Sequence, residues 1–241
     1  VPIAPAGNGA NPGAPVGDML RRSAIPMRWI GLALRVADLA EADAWFRARG
    51  FTLHYDPGME TVYFLIGRGQ VMGIRLEILA HDLPGDPRLS NSWTPAFWRD
   101  DHPLGIEALQ AIGVSAPSLD EAHALFAERL ALAPLGRRFI PSLDADCAAY
   151  DLGDTVIEAL SARDPSSSLG AHARDIKGIH SLVFQVKDAV RAAGWLQGQG
   201  FDLVGRVDDR FAIDPRQAQG RLIWLTQDCP DTYPQSGSMM R

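Results

Sequence analysis

Apolar and polar residues alternate with period two along Gly178-Ile-His-Ser-Leu-Val-Phe-Gln-Val186, which predicts a strand. Helical spacing follows, with Val190, Ala193 and Leu196 on one stripe that stops at Gly198 and Gly200. Two short apolar runs then close on Gly220-Arg-Leu-Ile-Trp-Leu-Thr-Gln227. The same order occurs twice upstream. Arg28–Val36 reads as a buried strand, and Asp38 caps a helix carrying Leu39, Ala42, Trp45 and Phe46 that ends at Gly50. Strands then fall near Phe51–Tyr55, Thr61–Ile66 and Met72–Leu79, broken by Asp56-Pro57-Gly58 and Gly67-Arg-Gly69. The second copy has a strand over Ile106–Val114, a Ser118/Glu121 capping box, and strands near Gly136–Ile140, Cys147–Leu152 and Thr155–Leu160. Each copy reads β-α-β-β-β, so the chain is an internal repeat. A half-buried sheet of this size does not stand alone, so the copies are expected to pair through their sheets.

The boundaries expected from this pattern are a tail or upstream remnant over 1–26 and a first module over 27–80. A linker loop over 81–103, paired second and third modules over 104–227, and a C-terminal tail over 228–241 complete the chain. The tail holds four prolines and no charge within its first fifteen residues and lacks the basic start and apolar centre of a signal peptide. It also lacks an initiating Met, which suggests that residues are missing or processed.

Composition narrows the partners. A formal charge of −6 and the lack of any basic run argue against nucleic acid and anionic membranes. No apolar run reaches the roughly 20 residues of a membrane helix. Cys147 and Cys229 are too few for a disulfide framework or a structural zinc site, and read as reduced thiols in a cytoplasmic protein.

The repeats resemble the βαβββ modules of the vicinal oxygen chelate superfamily, which includes glyoxalase I, methylmalonyl-CoA epimerase, extradiol dioxygenases and bleomycin-resistance proteins. The residues that carry this are Val156-Ile-Glu-Ala-Leu160, Gly178–Val186, Ile213-Asp-Pro215, Gly220–Gln227, and the junction from Trp93 to Ile106 with its His102-Pro-Leu-Gly105. The resemblance implies an α+β fold of repeated βαβββ modules paired into curved mixed sheets that enclose a cleft. It also implies a small oxygenated substrate, aromatic or hydroxy-keto, handled by lyase, isomerase or ring-cleavage chemistry. Three modules leave the first one unpaired, so an upstream module or a homo-oligomer, most simply a dimer, is expected.

The superfamily holds one divalent metal (Fe, Mn, Co, Ni or Zn) with imidazoles and carboxylates on first and last strands. Carried over residue by residue, the third module offers Ser181 and Trp224 at those positions, the second Ala111 and Glu158, and the first Gly31 and Glu77. His180 is one residue early, which in a regular strand turns it to the other face. Glu77 is thus the candidate metal ligand, and Glu77, Glu158 and His102 the candidate catalytic residues. Glu77 with His81 is a further pairing, if the strand ends between them. The competing readings are a solvated or salt-bridged acid at Glu77 and Glu158, a packed histidine at His180, and a loop-packing residue at His102. A metal-free alternative is a small-molecule-binding protein or degenerate member of the fold, whose cleft uses Trp98, His180, Phe184 and Trp224.

Overall fold

The computed structural model describes residues 29–80 and 96–234. The expected tail over 1–26, His81 and Trp93 lie outside the described residues.

The first module comprises β1 (Gly31–Arg35), α1 (Leu39–Ala48), β2 (Leu53–His54), β3 (Tyr63–Ile66) and β4 (Arg75–Leu79). Its sheet has the order β1-β4-β3-β2, with β1 parallel to β4. Asp38 starts α1 by accepting a hydrogen bond from the Glu41 N–H, and Gly50 turns the chain out at φ 74°.

The second module runs through β5 (Ile106–Ser115), helix α2 (Leu119–His123, continuing as a π-helical segment over Ala124–Arg129), β6 (Pro134–Ile140), β7 (Ala145–Asp151) and β8 (Val156–Ala162). A connecting helix, α3, covers Ser168–Ala171 and continues over His172–Ile176. The third module is β9 (Gly178–Val186), α4 (Ala189–Gly198), β10 (Leu203–Gly205), β11 (Phe211–Ile213) and β12 (Leu222–Thr226). These two modules share one eight-stranded sheet, β10-β11-β12-β9-β5-β8-β7-β6. The joint is the antiparallel pair of first strands, β5 and β9, while β5 runs parallel to β8 and β9 to β12. The architecture is therefore α+β, with curled mixed sheets of repeated βαβββ order.

The main core lies between the helix-bearing faces of the first and second modules. Phe46 of α1 and Phe64, Ile66, Leu76 and Ile78 of the first sheet pack with Phe126 of α2 and with Ile112, Val114, Tyr150 and Ile157 of the second. Arg129 clamps this contact: its Nη2 donates to the Gly50 carbonyl at 2.7 Å and its Nε to the Arg49 carbonyl at 3.2 Å, while the guanidinium lies 3.8 Å over the Phe51 ring. Those carbonyls belong to the frayed end of α1 and need donors. A second contact joins Gly73 to the start of β9. A Cβ at Gly73, where φ is +88°, would lie 2.7 Å from the Gly178 nitrogen.

The opposite face of the eight-stranded sheet buries Ala111, Val156, Val183, Ala212 and Trp224. Tyr233 joins them at 4 % exposure, so the expected C-terminal tail begins as a packed segment that folds back onto this face. In the first module, Gly31, Ala33 and Arg35 on the corresponding face are exposed. No helix among the described residues is long and apolar enough to cross a membrane.

Candidate active site

Glu77 and Glu158 occupy the same place in two modules. On the parallel pair β1/β4, Glu77 sits opposite Ala33; on β5/β8, Glu158 sits opposite Gly113. Their surroundings differ completely.

Glu158 is fully buried and caged. Its Oε2 accepts from Arg210 Nη1 at 2.8 Å. Its Oε1 accepts from Arg210 Nη2 at 3.2 Å, from Arg138 Nη2 at 2.7 Å and from the Tyr233 hydroxyl at 3.0 Å. Burial alone would raise the Glu158 pKa, but Arg210 and then Arg138 outweigh it and hold the value at about 2. The carboxylate is thus charged at neutral pH and its lone pairs are committed to guanidinium and phenol donors. Burial raises the Cys147 thiol and the Tyr233 phenol, and the charge on Glu158 pushes both further.

The donor set around Glu158 does not fit the divalent metal that the resemblance implied. Two guanidinium groups stand where a cation would be, and Ser181 and Trp224 occupy the third module's ligand positions. No cluster of three or more His, Cys, Asp or Glu side chains suited to a metal occurs among the described residues.

Glu77 has no hydrogen bond or ion pair among the described residues and is partly exposed. Arg75 lies two residues before it on the same strand, hence on the same face, about 7 Å away along the backbone. Arg35 shares that face through the β1/β4 register. Tyr63, close enough to feel both charges, donates to Asp56 at 2.6 Å.

The other expected residues are not gathered around either acid. Phe184 and Trp224 lie on opposite faces of the sheet: Phe184 packs with Val186 and Leu225, Trp224 with Ala111 and Val183. Trp98 is 42 % exposed. His102 ends the π-helical turn Phe97–Asp101 with its ring 4.6 Å from Trp98 and 5.4 Å from Trp195 of α4, the loop-packing arrangement. These residues do not form one cleft.

His180 departs from regular alternation. Gly113 pairs with Ser181 and Val114 with Ile179, so His180 is the extra residue of a β-bulge. Its ring stands edge-on to His172 at 5.1 Å, and His172 Nδ1 lies 2.8 Å from Ser115 Oγ. Burial, then His172 and Arg221, lower the His180 pKa to about 3, so the ring is neutral near pH 7. Sequence reasoning missed Arg138, Arg210 and Tyr233. They lie 20, 52 and 75 residues from Glu158, and no local pattern links them.

Paired βαβββ modules around a curled sheet define the vicinal oxygen chelate class of fold. The family model for the glyoxalase/bleomycin resistance protein/dioxygenase superfamily matches residues 96–216, and the chain belongs to that superfamily. Among solved structures it is similar to a methylmalonyl-CoA epimerase from Mycobacterium tuberculosis. The two are 21% identical, with 52% of this chain and 90% of that chain covered and a TM-score of 0.46. A hypothetical protein from Bacillus halodurans is also 21% identical, over 51% of this chain and 95% of its own, at a TM-score of 0.45. A Streptomyces coelicolor methylmalonyl-CoA epimerase in complex with 2-nitronate-propionyl-CoA is 15% identical over 50% and 96%, again at 0.45. No curated protein matches.

Proposed function

We propose that this glyoxalase-like protein acts on a small oxygenated metabolite, of the hydroxy-keto type, at the sheet face of the first module that carries Glu77. Glu77 is the acid/base group, and the closed pair of second and third modules is its scaffold. One observation carries the reading: at equivalent strand positions Glu158 is caged by four hydrogen bonds, while Glu77 has no hydrogen bond to any described residue. A carboxylate whose lone pairs are all filled by guanidinium and phenol donors offers a substrate proton no acceptor; one without those donors does.

The chemistry available to that face is isomerase-type proton transfer. Glu77 takes the proton from carbon next to a carbonyl, the C–H electron pair moves into the enolate, and the proton returns to the neighbouring oxygen or carbon. Arg75, on the same face, stabilises the developing oxyanion and orients an acidic substrate. No step is routed through a metal, because the described residues around neither acid make up a ligand set.

The test is hydrogen–deuterium exchange in D₂O, followed by NMR on a panel of 2-hydroxy-ketones and 2-oxo acids. The wild type is expected to exchange the C–H next to the carbonyl of at least one compound, and Glu77→Gln to lose that exchange while keeping the wild-type melting temperature. Exchange that survives Glu77→Gln, or none across the panel, would sink the proposal.

A further inference from the structure

A cavity of about 660 Å³ lies where the first module, the second module and the connecting helix α3 meet, and neither Glu77 nor Glu158 lines it. Its long wall is α2 with its continuation, which contributes Glu121, Ala124, Leu125 and Arg129. From Glu121 to Arg129 the helix rises about 12 Å. The two ends of the cavity carry different cations. At one end Arg129 donates to the Arg49 and Gly50 carbonyls, beside Gln70, whose amide is bonded in both directions to Thr52. At the other end is Lys177, followed by Gly178, whose carbonyl accepts from the Ser115 hydroxyl at 3.3 Å. Arg68 stiffens the wall near Lys177 by donating to the Gly73 and Ile176 carbonyls, each at 3.3 Å.

Both end cations keep their charge. Among the described residues Arg129 bonds to neutral carbonyls and stacks on the Phe51 ring, which leaves its Nη1 to offer. The Lys177 ammonium has no hydrogen bond or ion pair among the described residues. Glu121 is the one carboxylate of the lining; it is exposed and accepts from the Ser118 hydroxyl at 3.4 Å. The backbone gives a second sign. Lys177 sits at φ 63° and Met72, also in the wall, at φ 46°, where glycine would be unstrained and a side chain is not. Strain of this kind persists only where the surrounding structure holds it, and it clusters at sites that clamp a ligand.

We propose that this cavity binds a linear dicarboxylate lengthwise, one carboxylate on Arg129 and the other on Lys177, with its methylene chain against Ala124 and Leu125. Arg129 offers a planar guanidinium matched to a carboxylate, and Lys177 a compact point charge. Glu121 opposes the ligand and limits its affinity. The bound acid ties the end of α1 and the end of α3 to α2, across the contact between the first two modules.

The test is isothermal titration calorimetry of the full chain with succinate, glutarate, adipate and hexanoate at constant ionic strength. Affinity is expected to rise from succinate to adipate. Hexanoate, with the same chain length and one carboxylate, is expected to bind at least about tenfold more weakly than adipate. Lys177→Gly accepts the positive φ, so it should weaken adipate about tenfold while the melting temperature of the free protein holds. Glu121→Gln keeps the capping box and removes the opposing charge, and should tighten adipate about threefold. No saturable binding of adipate overturns the proposal. So does equal binding of hexanoate and adipate, or adipate binding that both substitutions leave unchanged. Adipate binding that Arg75→Ala abolishes and Lys177→Gly spares belongs to the Glu77 face, and overturns it too.

Discussion

Arg210 grips Glu158 with both terminal nitrogens, at 2.8 and 3.2 Å, where the two side chains expose 2% and 0% of their surface. Both charges have left water, and each is tolerable only because the other is present. Glu158→Gln keeps the volume and removes the charge, leaving Arg210 buried without its counter-ion. The expected loss is about 3–5 kcal/mol, a fall in melting temperature of roughly 6–20 °C by calorimetry. An unchanged melting temperature would contradict the cage as a structural element.

Acid should dismantle the fold in two windows. His180 has an ordinary pKa of 6.5 and is lowered to about 3 in the folded chain by burial, His172 and Arg221. Between those values the unfolded chain takes up a proton that the folded chain refuses, so stability falls as pH drops from 6.5 towards 3. Glu158 is held at about 2 against an ordinary 4.5, so its contribution is complete above 4.5 and is lost as pH falls from there through 2. Urea unfolding across this range should show both slopes in the wild type. His180→Gln should flatten the upper window and Glu158→Gln the lower one.

Tyr233→Phe removes one hydroxyl that donates to Glu158 at 3.0 Å. Hydrogen bonds to charged groups contribute about 1.5–3 kcal/mol, and that loss should appear as a lower urea midpoint with the slope m unchanged. A changed slope would mean that the C-terminal segment has come off the sheet.

Burial, and then the charge of Glu158, raise the Cys147 thiol far above its ordinary range, and Cys147 has no exposed surface. The thiolate is the reactive form. Native protein treated with iodoacetamide at pH 8 should therefore be unmodified at Cys147 by mass spectrometry, and denatured protein fully modified.

The module order was legible because its punctuation is local. Asp38 and Ser118 each cap a helix from within three residues, and Gly50 and Gly200 end helices at positive φ. The place of Glu77 and Glu158 on last strands was legible for the same reason. The setting of His180 was not, because one inserted residue breaks the alternation that assigns faces, and it shows only in the pairing of β5 with β9. Phe184 and Trp224 were expected in one cleft, yet the register of β9 with β12 puts Val183, not Phe184, beside Trp224. The cage was illegible because its members come from β6, the turn before β11 and the C-terminal segment. Arg138, Arg210 and Tyr233 look like surface residues until the chain closes.

The cage also orders events during synthesis. Glu158 leaves the ribosome 52 residues before Arg210 and 75 before Tyr233. At about 5–20 residues per second, Glu158 already has Arg138 but waits seconds for Arg210 and for the Tyr233 hydroxyl. Until then Arg138, from the same half-sheet, is the one guanidinium of the cage that has been made. The cage is complete only once the turn before β11 and the C-terminal segment beyond β12 have both been made.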